Sequence, residues 1–241
     1  MDRSRYSTEE LVSRWEYRRE IKNLMGKYIN CLALNCESEV FDLFWLQTEN
    51  GISLAFNDGV YRGTAAVRGF YDALHRRGLL ASALIRRRFP ELCADDKGRE
   101  LGTFRVRSIS SPVIEVAGDG LSAKGLWCCL GSCAEVTESG PVSYWISGYY
   151  AVDFVRTESG WRIWHMQSLN DICHPSGQDW SRAAAAFPPL PEFSGLSGFS
   201  MPEYTLRAEF RRTYSPDREL TPPPRTPEPY EHFDETFSYG L

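Results

Sequence analysis

Gly160-Trp161-Arg162-Ile163-Trp164-His165 closes residues 99–167, a run of long β-type segments separated by short turns. Residues 102–116, 121–131, 142–156 and 161–169 are rich in Val, Ile, Tyr and Trp, as strands are. Gly118-Asp119-Gly120 and Glu158-Ser159-Gly160 are tight-turn sequences, and 137–141 is a polar loop. Hairpin connections make consecutive strands antiparallel. The spacing therefore predicts one strongly curved antiparallel sheet. Pro112 has no N–H for a ladder, so it marks a bulge or an edge position. A curved sheet in a small α+β protein encloses a cavity, and the aromatic residues here point to an apolar one.

Working outward toward the N-terminus, Ser7-Thr8-Glu9-Glu10 is a capping box. Leu11, Trp15, Leu24, Met25, Tyr28 and Leu32 then recur at helical spacing, which predicts a long amphipathic helix over 8–34. A short helix over 38–45 follows, then a strand over 52–56, the turn Asn57-Asp58-Gly59 and a return strand over 60–62. Thr64 is placed to cap a third helix that buries Ala66, Val67, Phe70, Tyr71 and Leu74, with Gly78 as its stop. Residues 79–89 read as helix or loop ending before Pro90, and Asp95-Asp96-Lys97-Gly98 as a loop.

Toward the C-terminus the composition changes. Apart from Pro90, Pro112 and Pro141, every one of the 14 prolines lies beyond Ile172. Proline at that density forbids regular structure. Disordered tails are poor in aromatics, yet this segment holds Trp180, Phe187, Phe199, Tyr204, Tyr230, Phe233, Phe237 and Tyr239. The division expected is a cone domain over 1–171 and an extended arm over 172–241. The arm would lie on the body or on a neighbouring subunit.

The 241 residues carry a net charge of −5, so no basic field is available for nucleic acid. Arg86-Arg87-Arg88 is the one basic cluster and reads as a solvated face. No apolar run reaches about 18 residues, and no membrane segment is expected. Met1-Asp2-Arg3-Ser4-Arg5 leads into a polar helix without an apolar signal core, which suggests a cytoplasmic protein. The 7 cysteines follow no metal-type spacing and are expected to be reduced and packed. No nucleophile elbow, phosphate loop, dinucleotide fingerprint or His-Glu-Xaa-Xaa-His is present.

Several motifs carry a resemblance. They are Tyr61-Arg62-Gly63 before Ala66-Val67-Arg68, Pro112-Val113-Ile114-Glu115-Val116, Gly118-Asp119-Gly120 and Ala123-Lys124-Gly125-Leu126-Trp127. Tyr149-Tyr150 before Asp153-Phe154-Val155 and the closing Gly160–His165 motif complete the series. Over residues 9–169 the chain resembles the SnoaL-like branch of the nuclear transport factor 2-like superfamily, a cone-shaped, cystatin-like α+β fold. The resemblance implies helices packed on a curved sheet around an internal pocket. It also implies chemistry without cofactors: dehydration, isomerisation, cyclisation or deformylation. In several dehydratases of the family a strand His pairs with a first-helix Asp. This chain has Tyr28 and Asn30 in the first helix and Phe104-Arg105-Val106-Arg107-Ser108 in the strand, so that pair is not matched.

Five residues are candidates for chemistry. Lys124 lies in an otherwise apolar strand; buried, it would be a base, and on the outer face a surface lysine. His165 is a proton shuttle or a packed histidine. Arg107 shares a strand face with Arg105, where guanidinium groups would either stabilise an oxyanion or pair with acids. Tyr28 and Tyr150 offer phenols to a substrate oxygen. Trp45, Phe56, Arg105, Trp127 and Tyr144 are expected to line the pocket. His75, His174 and His232 rank lower, and Asp153 reads as a structural pair.

Two functions follow from these features. The first is a cofactor-independent lyase or isomerase acting on an aromatic or polycyclic small molecule. The alternative is a non-catalytic small-molecule-binding or assembly protein. Neither calls for a metal, nucleic acid or membrane. An exposed sheet face predicts a homodimer or homotrimer.

Overall fold

The computed structural model describes residues 6–34, 36–46, 51–93, 102–182 and 196–240. The loop expected over 95–98 and the arm's Phe187 lie outside the described residues. In chain order the elements are α1 (Thr8–Ala33), α2 (Glu37–Phe41), β1 (Ser53–Phe56), β2 (Gly59–Arg62) and α3 (Thr64–Arg88). They continue with β3 (Phe104–Val116), β4 (Ser122–Thr137), β5 (Gly140–Thr157), β6 (Gly160–Pro175) and β7 (Leu206–Arg207). The strands form one sheet in the order β3-β4-β5-β6-β1-β2-β7. It curves around the three helices as an open cone. Its pairings are antiparallel except that β1 runs parallel to β6, so the sheet is mixed. That parallel pair is what the crossover through α3 and the long hairpins allows, because β1 and β6 are far apart in sequence.

The capping box forms as the sequence reads. Glu10 N donates to Ser7 Oγ (3.2 Å), and Ser7 N donates to Glu10 Oε2 (2.7 Å). The first two turns differ from the apolar pattern, because Leu11 and Trp15 are exposed. Arg14 takes the buried position instead, donating to the carbonyls of Ala117 (2.7 Å) and Val116 (2.5 Å). Those bonds satisfy the end of β3 and fix α1 against the sheet.

Gly63, at φ 87°, precedes α3, and Thr64 is the first helical residue rather than the cap. Gly78 does not stop α3. It lies inside the helix among Arg77, Ala81 and Ser82, all buried, and the helix runs on to Arg88 before Pro90 ends it. A terminating glycine needs a left-handed φ, which Gly78 does not adopt.

Pro112 does mark a bulge. The β3–β4 register shifts between Ser110 and Val113, with Ser111 at φ 50°. The strands are longer than the sequence suggests, since β4 continues to Thr137 and β6 to Pro175. The core beneath the helices holds Ile21, Met25, Phe44, Leu54, Tyr71, Trp127, Phe154, Ile163 and Met166.

Residues 196–240 lie on the same chain's body. Their β7 extends the sheet from β2, and Phe210 N donates to Asn57 O (2.7 Å). Tyr204 lies directly over Gly59, where a Cβ would collide with its ring. Further on, Gly118 N donates to Tyr230 O (3.0 Å) and Asp119 N to Glu231 O (3.2 Å). Among the described residues no helix is long and apolar enough to cross a membrane.

Candidate functional site

Strand alternation decides which side chains meet. On β3, Arg105 and Arg107 turn toward the helices. On β4, Trp127, Cys129, Cys133 and Glu135 share that face, and on β5 Ile146 and Tyr150 do. With Tyr28 and Ile29 of α1, and Phe70, Leu74 and Arg77 of α3, these elements enclose a cavity of about 100 Å³.

One wall is uncharged apart from a single guanidinium. Arg107 Nη1 donates to Tyr150 Oη (3.1 Å) and to Ser168 Oγ (3.5 Å). Register explains the trio, because Tyr150 stands opposite Ser168 on β6. Tyr28 meets Tyr150 edge to face at 5.9 Å and accepts a hydrogen bond from Tyr71 Oη (3.3 Å). Burial raises the pKa of Tyr28, Tyr71 and Tyr150; for Tyr150 it prevails over the pull of Arg107. All three phenols therefore keep their protons at neutral pH. Burial likewise raises Cys129, against the pull of Arg107 beside it, and pushes Cys133 up to about 12. Both remain thiols.

The opposite wall is a balanced charge network. Arg77 Nη1 reaches Glu135 Oε2 at 2.5 Å, and Arg105 Nε reaches Glu135 Oε1 at 3.1 Å. Arg105 Nη1 also approaches Glu37 Oε1 at 3.4 Å. Glu37 in turn leads outward to His75, at 3.8 Å on the surface. Arg107 is different. Among the described residues no carboxylate lies within ion-pair distance of it.

Of the residues expected to act together, Tyr28, Tyr150 and Arg107 meet in the cavity, with Phe56 and Arg105 in its lining. Lys124 and His165 do not join them. Lys124 has the opposite parity to Trp127 and Cys129, so its side chain leaves the other face of the sheet. There it stands opposite Asp153 on β5, which stands opposite His165 on β6. Lys124 Nζ donates to Asp153 Oδ1 at 2.8 Å, and His165 Nδ1 lies 2.9 Å from Asp153 Oδ2. The arm seals this cluster. Ser238 Oγ (2.7 Å) and Tyr239 N (2.8 Å) both donate to Asp153 Oδ2. The rings of Phe233 and Phe237 stand 4.2 and 4.8 Å from the Lys124 ammonium. Lys124 and Asp153 are each 0% exposed. The pairing anticipated for Asp153 is thus present, and its partners are the two groups expected in the pocket.

Three expected lining residues also lie elsewhere. Trp45 packs on Trp164 at 5.5 Å, at the edge where its backbone N–H meets Ile163 O. Trp127 fills the core below the cavity, against Phe154 at 6.0 Å and over Gly125, whose hydrogen side chain leaves room for the indole. Tyr144 shares the β5 face of Ile146 and Tyr150 but is not in the lining itself; it packs beside it with Cys133, Ile146 and Cys173. Conversely, sequence reasoning does not single out Ser168, Arg77, Tyr71 and Glu135 for the site. Ending the second strand at Gly131 hides Glu135, although the alternation through Cys129, Cys133 and Glu135 carries the signal.

A family model described as a SnoaL-like domain matches residues 13–167. Solved structures with a similar fold include a hexachlorocyclohexane dehydrochlorinase (LinA) type 2. Its sequence is 13% identical, the alignment covers 74% of this chain and 97% of that one, and the TM-score is 0.51. An NTF2-like protein with a cystatin-like fold from Novosphingobium aromaticivorans is 21% identical over 68% of this chain and 90% of that one, with a TM-score of 0.44. A variant of Rv3472, a protein of unknown function from Mycobacterium tuberculosis, is 20% identical over 67% of this chain and 75% of that one, with a TM-score of 0.45. Identities this low speak for the fold alone. No curated protein matches.

Proposed function

This chain belongs to the SnoaL-like domain family, and from that premise we propose that its cone is the site of a cofactor-independent lyase or isomerase acting on a small molecule. The observation that carries the reading is the Arg107–Tyr150–Ser168 wall facing the cavity. Donors fixed before reaction, in a site of low polarity, stabilise negative charge as it develops on a substrate oxygen. A carbonyl oxygen placed there becomes an enolate when a proton leaves the adjacent carbon. The proton returns to another carbon in an isomerisation. In a lyase reaction the electron pair expels a leaving group instead. Glu135 is the one carboxylate in the lining among the described residues, and is the acceptor in this reading. The cavity volume favours a single ring or a short chain over a polycyclic substrate.

A second reading, a binding protein without turnover, is supported by one specific observation: both oxygens of Glu135 are already engaged, by Arg77 and Arg105. Deuterium uptake from heavy water separates the two. A panel of short-chain and single-ring ketones and hydroxyketones is incubated with the protein and followed by mass spectrometry. The catalytic reading predicts exchange at the carbon beside the carbonyl. In Tyr150→Phe it predicts a rate lower by about 10- to 1,000-fold, the scale of losing one oxyanion donor. Ligand binding without exchange or conversion of any panel member would establish the binding protein.

A further inference from the structure

We infer that the natural ligand of the cavity carries a permanent carboxylate, which binds Arg107 as its missing counter-charge. The inference rests on the cone being the small-molecule site.

It comes from comparing Arg107, which is half-buried, with the buried cations of the chain. Arg77 is paired with Glu135, Arg211 with Asp171 and Lys124 with Asp153. Arg14 is satisfied by two backbone carbonyls. Arg107 stands on the cavity wall across from the paired Arg77, Arg105 and Glu135, and its own partners are neutral: the hydroxyls of Tyr150 and Ser168, both through Nη1, and the protonated thiol of Cys129. A charge withdrawn from water without a counter-charge is costly. The fold meets that cost at these other sites, including Arg77 on the opposite wall, and leaves it open at Arg107. The two hydroxyls occupy one nitrogen of the guanidinium fork. The fork matches the two oxygens of a carboxylate, a geometry that a point charge such as ammonium lacks. The phenol of Tyr150, protonated and beside the guanidinium, adds a neutral donor to the same anion. Around it, Ile29, Phe56, Phe70, Leu74 and Ile146 accept an apolar body. The ligand class is therefore a small monocarboxylate with a short-chain or single-ring body.

The test is calorimetric titration of the full chain with butyrate and benzoate and with their neutral isosteres butyramide and benzamide, against sodium chloride and phosphate as anion controls. Arg107→Gln keeps a planar amide in place of the guanidinium, and its fold is checked by circular dichroism. At least one carboxylate is expected to bind tenfold or more tighter than its amide, and Arg107→Gln is expected to abolish that preference. Amides binding as tightly as the acids would overturn the carboxylate and leave the cone site standing. So would equal binding of chloride and phosphate, or a preference that survives Arg107→Gln. No binding by any panel member would overturn both.

Discussion

Asp153→Asn is nearly isosteric, yet it leaves the ammonium of Lys124 without a counter-charge. Asp153 accepts from four donors: Lys124 Nζ, His165 Nδ1, Ser238 Oγ and Tyr239 N. Both it and Lys124 are shut off from solvent. Two independent routes give the size of the effect. Removing one member of a buried pair costs about 3–5 kcal/mol. Forcing a lysine of ordinary pKa about 10.4 to be neutral at pH 7 costs about 1.36 kcal/mol per unit, or about 4.6 kcal/mol. The chain has a cheaper escape, because undocking the segment around Phe233–Tyr239 lets water reach Lys124. The loss is then capped by the docking free energy of that segment. Urea denaturation is therefore expected to show a loss of up to about 5 kcal/mol, with Tm lower by on the order of 10 °C. Limited proteolysis is expected to cut the C-terminal segment of Asp153→Asn under conditions that spare the wild type. Trp164, which packs on Phe233 at 4.5 Å, reports the same event by fluorescence. A variant within about 1 kcal/mol of the wild type, with its C-terminal segment still protected, would refute the view that Asp153 holds the arm.

Other outcomes follow from the same contacts. Burial pushes the Asp153 carboxyl up, but the hydrogen bond from His165 and the charge of Lys124 outweigh it and hold the group below the usual carboxylate value. The unfolded chain therefore binds the extra proton first, so this contribution is whole above about pH 4 and is lost as pH falls through the folded value. Tm measured between about pH 2 and 5 should fall more steeply for the wild type than for Asp153→Asn; parallel curves would exclude the linkage. Gly59→Ala would set a Cβ against the ring of Tyr204. Overpacking of that kind costs about 1–3 kcal/mol, so Ala is expected to free the segment around Tyr204 to proteolysis, and an unchanged digestion pattern would contradict the seat. Phe104, Leu130 and Trp145 are exposed on the sheet face that the helices leave bare. Light scattering is expected to find a dimer or trimer that Leu130→Arg dissociates, whereas a 27.5 kDa wild-type monomer would defeat that expectation.

The architecture is legible in the sequence because it is written in local signals. Ser7 and Glu10, Gly118-Asp119-Gly120, Pro112 and the alternation from Phe104 to Gln167 each act within a few residues of themselves. The site is legible only in part. Arg107, Tyr150 and Tyr28 can be found by residue type and by the face they share with their neighbours, although the sequence leaves open whether Arg107 turns inward. Lys124 and His165 fall on the other side of the sheet, and parity alone does not reveal it until it is anchored to an inward residue. Trp127 supplies that anchor only once its indole is known to lie beneath the helices. What turns Lys124 from a base into a structural cation is the aromatic segment around Phe233 and Phe237, far away in sequence. No local pattern in β4 announces that partner. Glu135 is hidden for a simpler reason: the polar residues between Gly131 and Thr137 look like a loop, yet they continue the strand.

The central claim is that Arg107 and Tyr150 form the polar wall of a small-molecule site. A crystal grown with benzoate or butyrate tests it most directly. Density is expected in the cavity, with a ligand oxygen within about 3.2 Å of both an Arg107 guanidinium nitrogen and Tyr150 Oη. Density lodged instead beside Lys124 and Asp153 in place of the arm, with the cavity holding only water, would contradict it.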